Sequence, residues 1–391
     1  MHQISEIKFR QIIVMVFSKK SFLYSIVAFI AFLPSVVLAN PTETVSENKE
    51  VVAKESQDPE AKMSEQIDEV KAHHVLDAHS FTLFADEEAH VHYGFPLPII
   101  LWDNGSLHVF SSSKFDGGNG VAEDKGNFYV LHHEKIYKTD AAGKLDVKEV
   151  DGEEAVANAK PLDFSITKGV FSMLVIALLM FLLFRGLGKS YSKNGGVADG
   201  AGRFFEPIVL FVRDEIAIPN IGEKHYKKYM SHLLTVFFFI WFLNVVGMTP
   251  FGINVTGNIS VTFGLAVLTF IITTFTANRN YWMHIFWMPG VPVPMKIILL
   301  PIELVGAIIK PFSLMIRLYA NMFAGHIVIM SLIGMMFIFK SWIGSPLAFG
   351  LSFIISLIEI LVTLLQAYIF TMLTALYFGS AVEEHYHDEA H

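Results

Sequence analysis

Two apolar stretches dominate this chain: residues 296–339, about 44 long, and residues 345–381, nearly as long. A helix crossing the roughly 30 Å hydrocarbon layer at right angles needs only about 20 residues. Segments close to twice that length must tilt strongly or lie far over in the bilayer. Lys340, Trp342, Gly344 and Pro346 mark a turn between them, so the pair predicts an antiparallel helical hairpin. Composition agrees, since 53% of the 391 residues are hydrophobic and only 17% are charged, too apolar for an ordinary soluble domain. There are no cysteines, which excludes disulfides and thiolate metal sites. The formal charge of -8 argues against nucleic-acid binding.

Three shorter apolar segments predict roughly perpendicular spans at about Thr167–Phe184, Ser231–Met248 and Ser260–Ala277. Arg185, Lys189, Lys193 and Arg203 follow the first, Lys224, Lys227 and Lys228 precede the second, and Arg279 follows the third. All these cations flank one side, which the positive-inside rule makes cytoplasmic. Phe204 to Ile218 is apolar on one side but interrupted by Glu206, Arg213, Asp214 and Glu215, which fits an interfacial helix. Tyr281, Trp282 and Trp287, beside Pro289, Pro292 and Pro294, read as an interface anchor and a re-entry loop. The expected fold class is an all-α polytopic membrane protein with a small strand-containing region outside the membrane.

That outer region lies N-terminal. Residues 1–39 resemble a cleaved signal peptide: Lys19 and Lys20 precede the apolar run Phe22 to Leu38, and Val37-Leu38-Ala39 offers small residues for cleavage. An uncleaved first span is the alternative. Residues 40–160 form an acidic, histidine-rich extension, of which 40–72 lack periodicity and read as a linker. From Ser80 to Tyr137, β-prone runs such as 97–102 and 128–131 alternate with turn signals such as Asp103-Asn104-Gly105. The histidines here (among them His79, His90, His92, His108, His132 and His133) match no standard ligand spacing and read as exposed side chains of an acidic region. Residues 161–385 are the expected membrane domain, with 386–391 as a tail.

Few polar residues interrupt the long helices: Glu303, Lys310, Arg317, Asn321, His326, Glu359 and Gln366. An arginine near mid-membrane costs about 3 kcal/mol or more, so Arg317 is a functional-site candidate by default. Asn321, four residues on, shares its face. Glu303 lies 14 residues earlier, about 40° away in projection and roughly 21 Å along the axis. In an antiparallel pair, opposed residues have nearly constant number sums. Arg317 with Gln366 and His326 with Glu359 fit one register, a guanidinium facing an amide and an imidazole facing a carboxyl. Taken singly, Gln366 could be interhelical glue, Glu359 a neutral carboxyl, His326 a core histidine, and Arg317 half of a packing salt bridge to Glu303 or Glu359. Taken together, they read as a proton pathway, with Arg317 a fixed positive barrier between Glu303 on the cytoplasmic side and His326/Glu359 on the outer side. A carboxylate from another protein would have to carry the proton around it.

The run Arg317-Leu318-Tyr319-Ala320-Asn321-Met322-Phe323-Ala324-Gly325-His326, with Gln366-Ala367-Tyr368-Ile369-Phe370, resembles subunit a of the F-type ATP synthase membrane sector. Lys310-Pro311-Phe312-Ser313-Leu314, Phe211-Val212-Arg213-Asp214-Glu215 and the ending Glu383-Glu384-His385 resemble it too, so the likeness covers about residues 160–385. The resemblance implies a stator beside a rotating ring of c subunits, with b subunits of the peripheral stalk, the F1 sector and membrane lipid as further partners, in a bacterial inner membrane. It implies that Arg317 attracts the ring's essential carboxylate and separates two half-channels, that Gln366 supports Arg317, and that Asn321 shapes the ring-facing surface. His326 and Glu359 would belong to the outer half-channel and Glu303 to the cytoplasmic one. In the best-known bacterial members of the family these two outer positions are exchanged, glutamate for His326 and histidine for Glu359, which argues for a contacting pair. Lys168 stands where an acidic residue is often found, leaving Asp163, Asn254 and Asn258 as candidates for outer access.

Two other classes fit less well. A secondary transporter would show internal repeats with broken helices, and none is evident. An intramembrane hydrolase would need a Ser–His dyad or a helical His-Glu-x-x-His motif, and no membrane segment carries either. With no glycine-rich phosphate loop, no nucleotide site or cofactor is expected.

Overall fold

Inside hydrocarbon, backbone N–H and C=O groups have no water to bond, so long apolar segments close their hydrogen bonds as helices. The structure, a computed structural model, describes residues 77–86, 91–118, 120–150, 153–193, 200–249, 253–287, 292–339 and 344–382. The targeting segment, the linker 40–72, and Glu383, Glu384 and His385 lie outside the described residues.

Among the described residues, ten short strands precede the α-helices: β1 (Ser80–Asp86), β2 (Val91–Pro96), β3 (Pro98–Asp103), β4 (Ser106–Ser111), β5 (Val121–Asp124), β6 (Asn127–His132), β7 (Lys135–Thr139), β8 (Val147–Val150), β9 (Glu153–Val156) and β10 (Leu162–Asp163). They pair antiparallel as β1-β2, β10-β3-β4, β5-β6-β7 and β8-β9. The strand region therefore continues past the expected limit at Tyr137, because β10 returns to pair with β3. Asn104 and Gly105 turn β3 into β4 with φ of 48° and 79°, the left-handed pair that a tight hairpin demands. Alternate residues of these strands (Ile99, Leu101, Phe110, Tyr129, Ile136) face inward around Phe115. His79 and His108 are not exposed as expected; they are 4% and 0% accessible and each is bonded to a carboxylate.

The helices follow as α1 (Lys168–Lys193), α2 (Ala201–Phe211), α3 (Ile218–Ile221), α4 (Tyr226–Gly247), α5 (Ile259–Thr276), α6 (Arg279–Phe286), α7 (Val293–Phe339) and α8 (Gly344–Val382). Five of the described helices, α1, α4, α5, α7 and α8, are long and apolar enough to cross a membrane. The segment expected as an interfacial helix is helical, with α2 and α3 joined by a π-helical stretch, Val212–Ala217, in which Arg213 grips Asp214 through two hydrogen bonds of 2.6 and 2.8 Å. The expected re-entry loop is partly helical instead, since α6 occupies Arg279–Phe286, with Trp282 and Phe286 exposed and stacked.

Helix α4 is the centre of the membrane domain: 72% of its most apolar stretch is buried, against 6% for α7 and 22% for α8. The far end of α8 is fixed by Asn278, whose backbone N–H and side-chain Nδ2 donate to the carbonyls of Ala381 and Val382 at 2.8 and 3.2 Å. Those terminal carbonyls would otherwise be orphans. At Gly379 the backbone of Asn220 comes so close that a Cβ would overlap its carbonyl oxygen. Only glycine fits there, and α3 is thereby seated directly on the hairpin. The β region is joined to α1 by three rings: Phe95 stacks on Phe81 at 4.9 Å, and both meet the edge of Phe171.

Candidate functional site

Helix directions place the two ends of the membrane domain. α1 leaves the β region, α4 returns toward it, α5 leaves it again, and α7 and α8 run toward it and back. On α7 this puts Glu303 toward the end away from the β region, His326 toward the β region, and Arg317 between them.

Arg317 is half-buried, and its charge acts on the phenol of Tyr377 on α8. Among the described residues no carboxylate pairs with it, which removes the packing salt bridge to Glu303 or Glu359 as an account of this residue. Gln366 is 2% exposed, and its Oε1 accepts a 2.6 Å hydrogen bond from Asn321 Nδ2. The amide therefore meets Asn321, one turn along from Arg317, rather than the guanidinium. Its Nε2 has no partner among the described residues.

Toward the β region, Glu359 is 6% exposed and lies directly on Gly325, where a Cβ would overlap its Oε1. Both carboxyl oxygens of Glu359 lack hydrogen-bond partners among the described residues. His326 follows Gly325, and its Cε1 lies 4.0 Å from where a Cβ of Gly247 would stand, so the ring reaches the last turn of α4. Three residues earlier on α4, the fully buried Asn244 accepts a 2.7 Å bond from the Thr256 hydroxyl and leaves Nδ2 unpartnered among the described residues. Asn244 was not among the expected site residues, although a buried amide three residues from the end of a 22-residue apolar helix is the same signal that singled out the hairpin residues. The buried His232, also on α4, was missed for the same reason.

The candidates for outer access have local tasks. Asn254 Oδ1 accepts from Gly257 N at 3.0 Å, and Asn258 caps α5 by accepting from Ser260 N at 2.9 Å. Asp163 is drawn into the β region, 2.9 Å from His79 Nε2. Glu134 accepts from the His79 backbone N–H at 3.2 Å, and Asp77 accepts from Thr167 Oγ1 and Gly169 N at 2.8 Å each, capping α1 from a distant part of the chain. Burial alone would lower the His79 pKa, but the bonds and charges of Asp163 and Glu134 push it up to about 9. Burial raises Asp163, yet His79 and Ser165 hold it below the usual carboxylate range.

Asp77 ties this segment to the start of α1, and His79, two residues on, ties it to Asp163 and Glu134 through a clamp that is pH-dependent. A raised histidine contributes stability that is complete below its ordinary value of 6.5 and lost as pH rises through about 9. A depressed aspartate contributes stability above its ordinary 3.8 and loses it as pH falls further. In the full-length protein, trypsin should leave Lys168 uncut at pH 7 and cleave it at pH 10, with His79→Ala cleaved there already at pH 7. Removing one member of a buried pair costs on the order of 3 kcal/mol. Equal cleavage of both proteins at pH 7 would contradict the clamp.

At the opposite end, α6, α7 and α8 enclose a cavity of about 160 Å³ lined by Tyr281, His284, Glu303, Lys310 and Ser380 among others. A narrower pocket continues from it along Lys310, Pro311, Leu314 and Tyr377, toward the phenol that senses Arg317. The hairpin thus carries two polar clusters, with Arg317 between them.

A family model described as ATP synthase A chain matches residues 170–379. A second, a domain of unknown function (DUF8433), matches residues 70–164, which is the β region. The chain is 43% identical over 235 residues to ATP synthase subunit a of Chloroherpeton thalassium, spanning 59% of this chain and 70% of the relative. It is 44% identical over 239 residues to the corresponding subunit of Chlorobium phaeobacteroides, with the same shares. With ATP synthase subunit a 2 of Prosthecochloris aestuarii it shares 37% identity over 315 residues, 75% of this chain and 93% of the relative. With five described helices long and apolar enough to cross a membrane, a long hairpin and these relatives, the chain belongs to the ATP synthase subunit a family.

Proposed function

We propose that this chain is the proton-conducting stator of a bacterial ATP synthase, with the β region outside the inner membrane and the C-terminus in the cytoplasm. The observation that carries the proposal is the position of Arg317 between two separate polar clusters on one hairpin. Glu359, His326 and Asn244 form the outer half-channel, and the cavity at Glu303 is the cytoplasmic one. Neither cluster reaches the other past a permanently charged guanidinium. Protons therefore cross on a carboxylate of the c-ring, which is ionised as it passes Arg317 and neutral when it faces lipid. One charge crossing 100 mV yields about 2.3 kcal/mol, so rotation must sum several protons to drive phosphorylation. The mature chain starts at Asn40 after signal cleavage, and b subunits and the F1 sector complete the assembly.

The hairpin has an exposed apolar flank for such a ring. Leu357, Ile358, Leu361, Leu364 and Leu365 are 40–67% exposed and share one face of α8. Because the chain has no cysteine, a single one placed at Leu361 is unique. In native membranes it should cross-link to a cysteine set beside the ring carboxylate, whereas one placed at the buried Ala375 should not. Equal cross-linking at both positions, or none at Leu361, would count against this assignment of the ring-facing side.

A further inference from the structure

The cavity between α6, α7 and α8 contains a group that the proton path described above does not use. Helix α6 ends beside it and directs Tyr281 and His284 toward the wall that α7 supplies with Glu303 and Lys310 and α8 with Ser380. At about 160 Å³ the space holds several water molecules, each occupying about 30 Å³ in the liquid. Glu303 on α7 and Tyr281 on α6 both line this space. His284 sits half-buried in the last turn of α6, on the cavity wall.

We propose that His284 is a proton-relay residue at the mouth of the inner half-channel, exchanging protons with Glu303 through the water of this cavity. The inference deepens the stator reading and rests on it. In the direction of synthesis a proton leaves the Glu303 carboxyl for a cavity water while that water releases a proton to an imidazole nitrogen of His284. The imidazolium then gives its proton to bulk water, which resets His284, and the Glu303 carboxylate is reset when the next ring carboxyl hands it a proton. Imidazole suits this post because it gains and loses protons between pH 5 and 8. The titratable and charged groups facing the cavity from the packed elements are Tyr281 on α6, Glu303 and Lys310 on α7, and, through the adjoining pocket, Tyr377 on α8. Lys310 places a cation on the Glu303 side of the space, which favours discharge of a proton away from it, toward His284.

Membrane vesicles carrying the whole complex test the relay. After removal of F1, the rate of proton conduction driven by an imposed potential is compared for wild type, His284→Ala, His284→Gln and Glu303→Gln across pH 6–9. Both His284 variants should conduct roughly tenfold more slowly, with amounts of assembled complex unchanged and a flattened pH profile. Free imidazole supplied at the F1-binding face should restore much of the rate in His284→Ala. Wild-type rates in both His284 variants would overturn the relay, as would a loss that tracks reduced assembly and is not restored by imidazole. Glu303→Gln separates the two levels of inference. If it blocks conduction while the His284 variants conduct normally, only the relay fails, and if Glu303→Gln itself conducts normally, the inner half-channel has been misplaced.

Discussion

Arg317→Ala should abolish proton-driven ATP synthesis while leaving the complex assembled. Both halves of this expectation come from the surroundings of Arg317. Its side chain has no carboxylate partner among the described residues, so its removal strands no buried charge within the chain. Its side chain is only half-buried, so truncation leaves less of a cavity than a core replacement would. The cost falls on coupling. In the proposed scheme, without the fixed charge a ring carboxylate would have no reason to ionise between the half-channels, and protons would pass from the Glu359 side to the Glu303 side without rotation. ATP synthesis in energised inverted vesicles should drop to background, and proton leak through F1-depleted membranes should persist or rise. Arg317→Lys should synthesise poorly as well, because an ammonium is a strongly hydrated point charge without the planar fork that engages a carboxylate. Near-normal synthesis by Arg317→Ala would remove the central claim. Loss of the assembled complex would instead make the residue structural.

What could be read from sequence divides along the range of the forces involved. The ends of α7, α8, α4 and α5 fall within about five residues of the apolar boundaries, because hydropathy is local and the bilayer imposes the length. The hairpin register was legible only to within one turn. Ser345 Oγ reaches the Met336 carbonyl, the Glu359 carboxyl reaches the Gly325 backbone, and Asn321 meets Gln366, with number sums that rise from 681 through 684 to 687. Each helical side chain leans toward its own N-terminus, so in an antiparallel pair every long side chain in the contact raises the sum. That lean is why Gln366 meets Asn321 and not Arg317. The clamp at His79 was illegible for a different reason. Its partners lie 55 and 84 residues away, and nothing in a local pattern reports which carboxylate will fold back onto which histidine.

Exchanging His326 and Glu359 should harm proton conduction less than either single replacement does. Glu359 occupies the space left by the missing side chain of Gly325, and His326 is the next residue on the same turn, reaching toward Gly247 and the Asn244 layer. On the proposed path, a proton arriving from the β-region side would meet an imidazole and a carboxyl in adjacent layers of one hairpin. Glu359→Gln and His326→Ala each remove one exchanging group and should slow ATP-driven proton pumping by roughly 10²-fold, the usual worth of a positioned acid–base group. The double exchange, His326→Glu with Glu359→His, keeps one of each. It should recover about a tenth or more of the wild-type rate, a strongly non-additive outcome. Gly325→Ala supplies the geometric control. It alters no titrating group but fills the Glu359 site, so it should impair pumping in the wild-type arrangement. If the two single losses simply multiply in the exchanged protein, the residues act independently, and the outer path must run through Asn244 and Thr256 without requiring contact between His326 and Glu359.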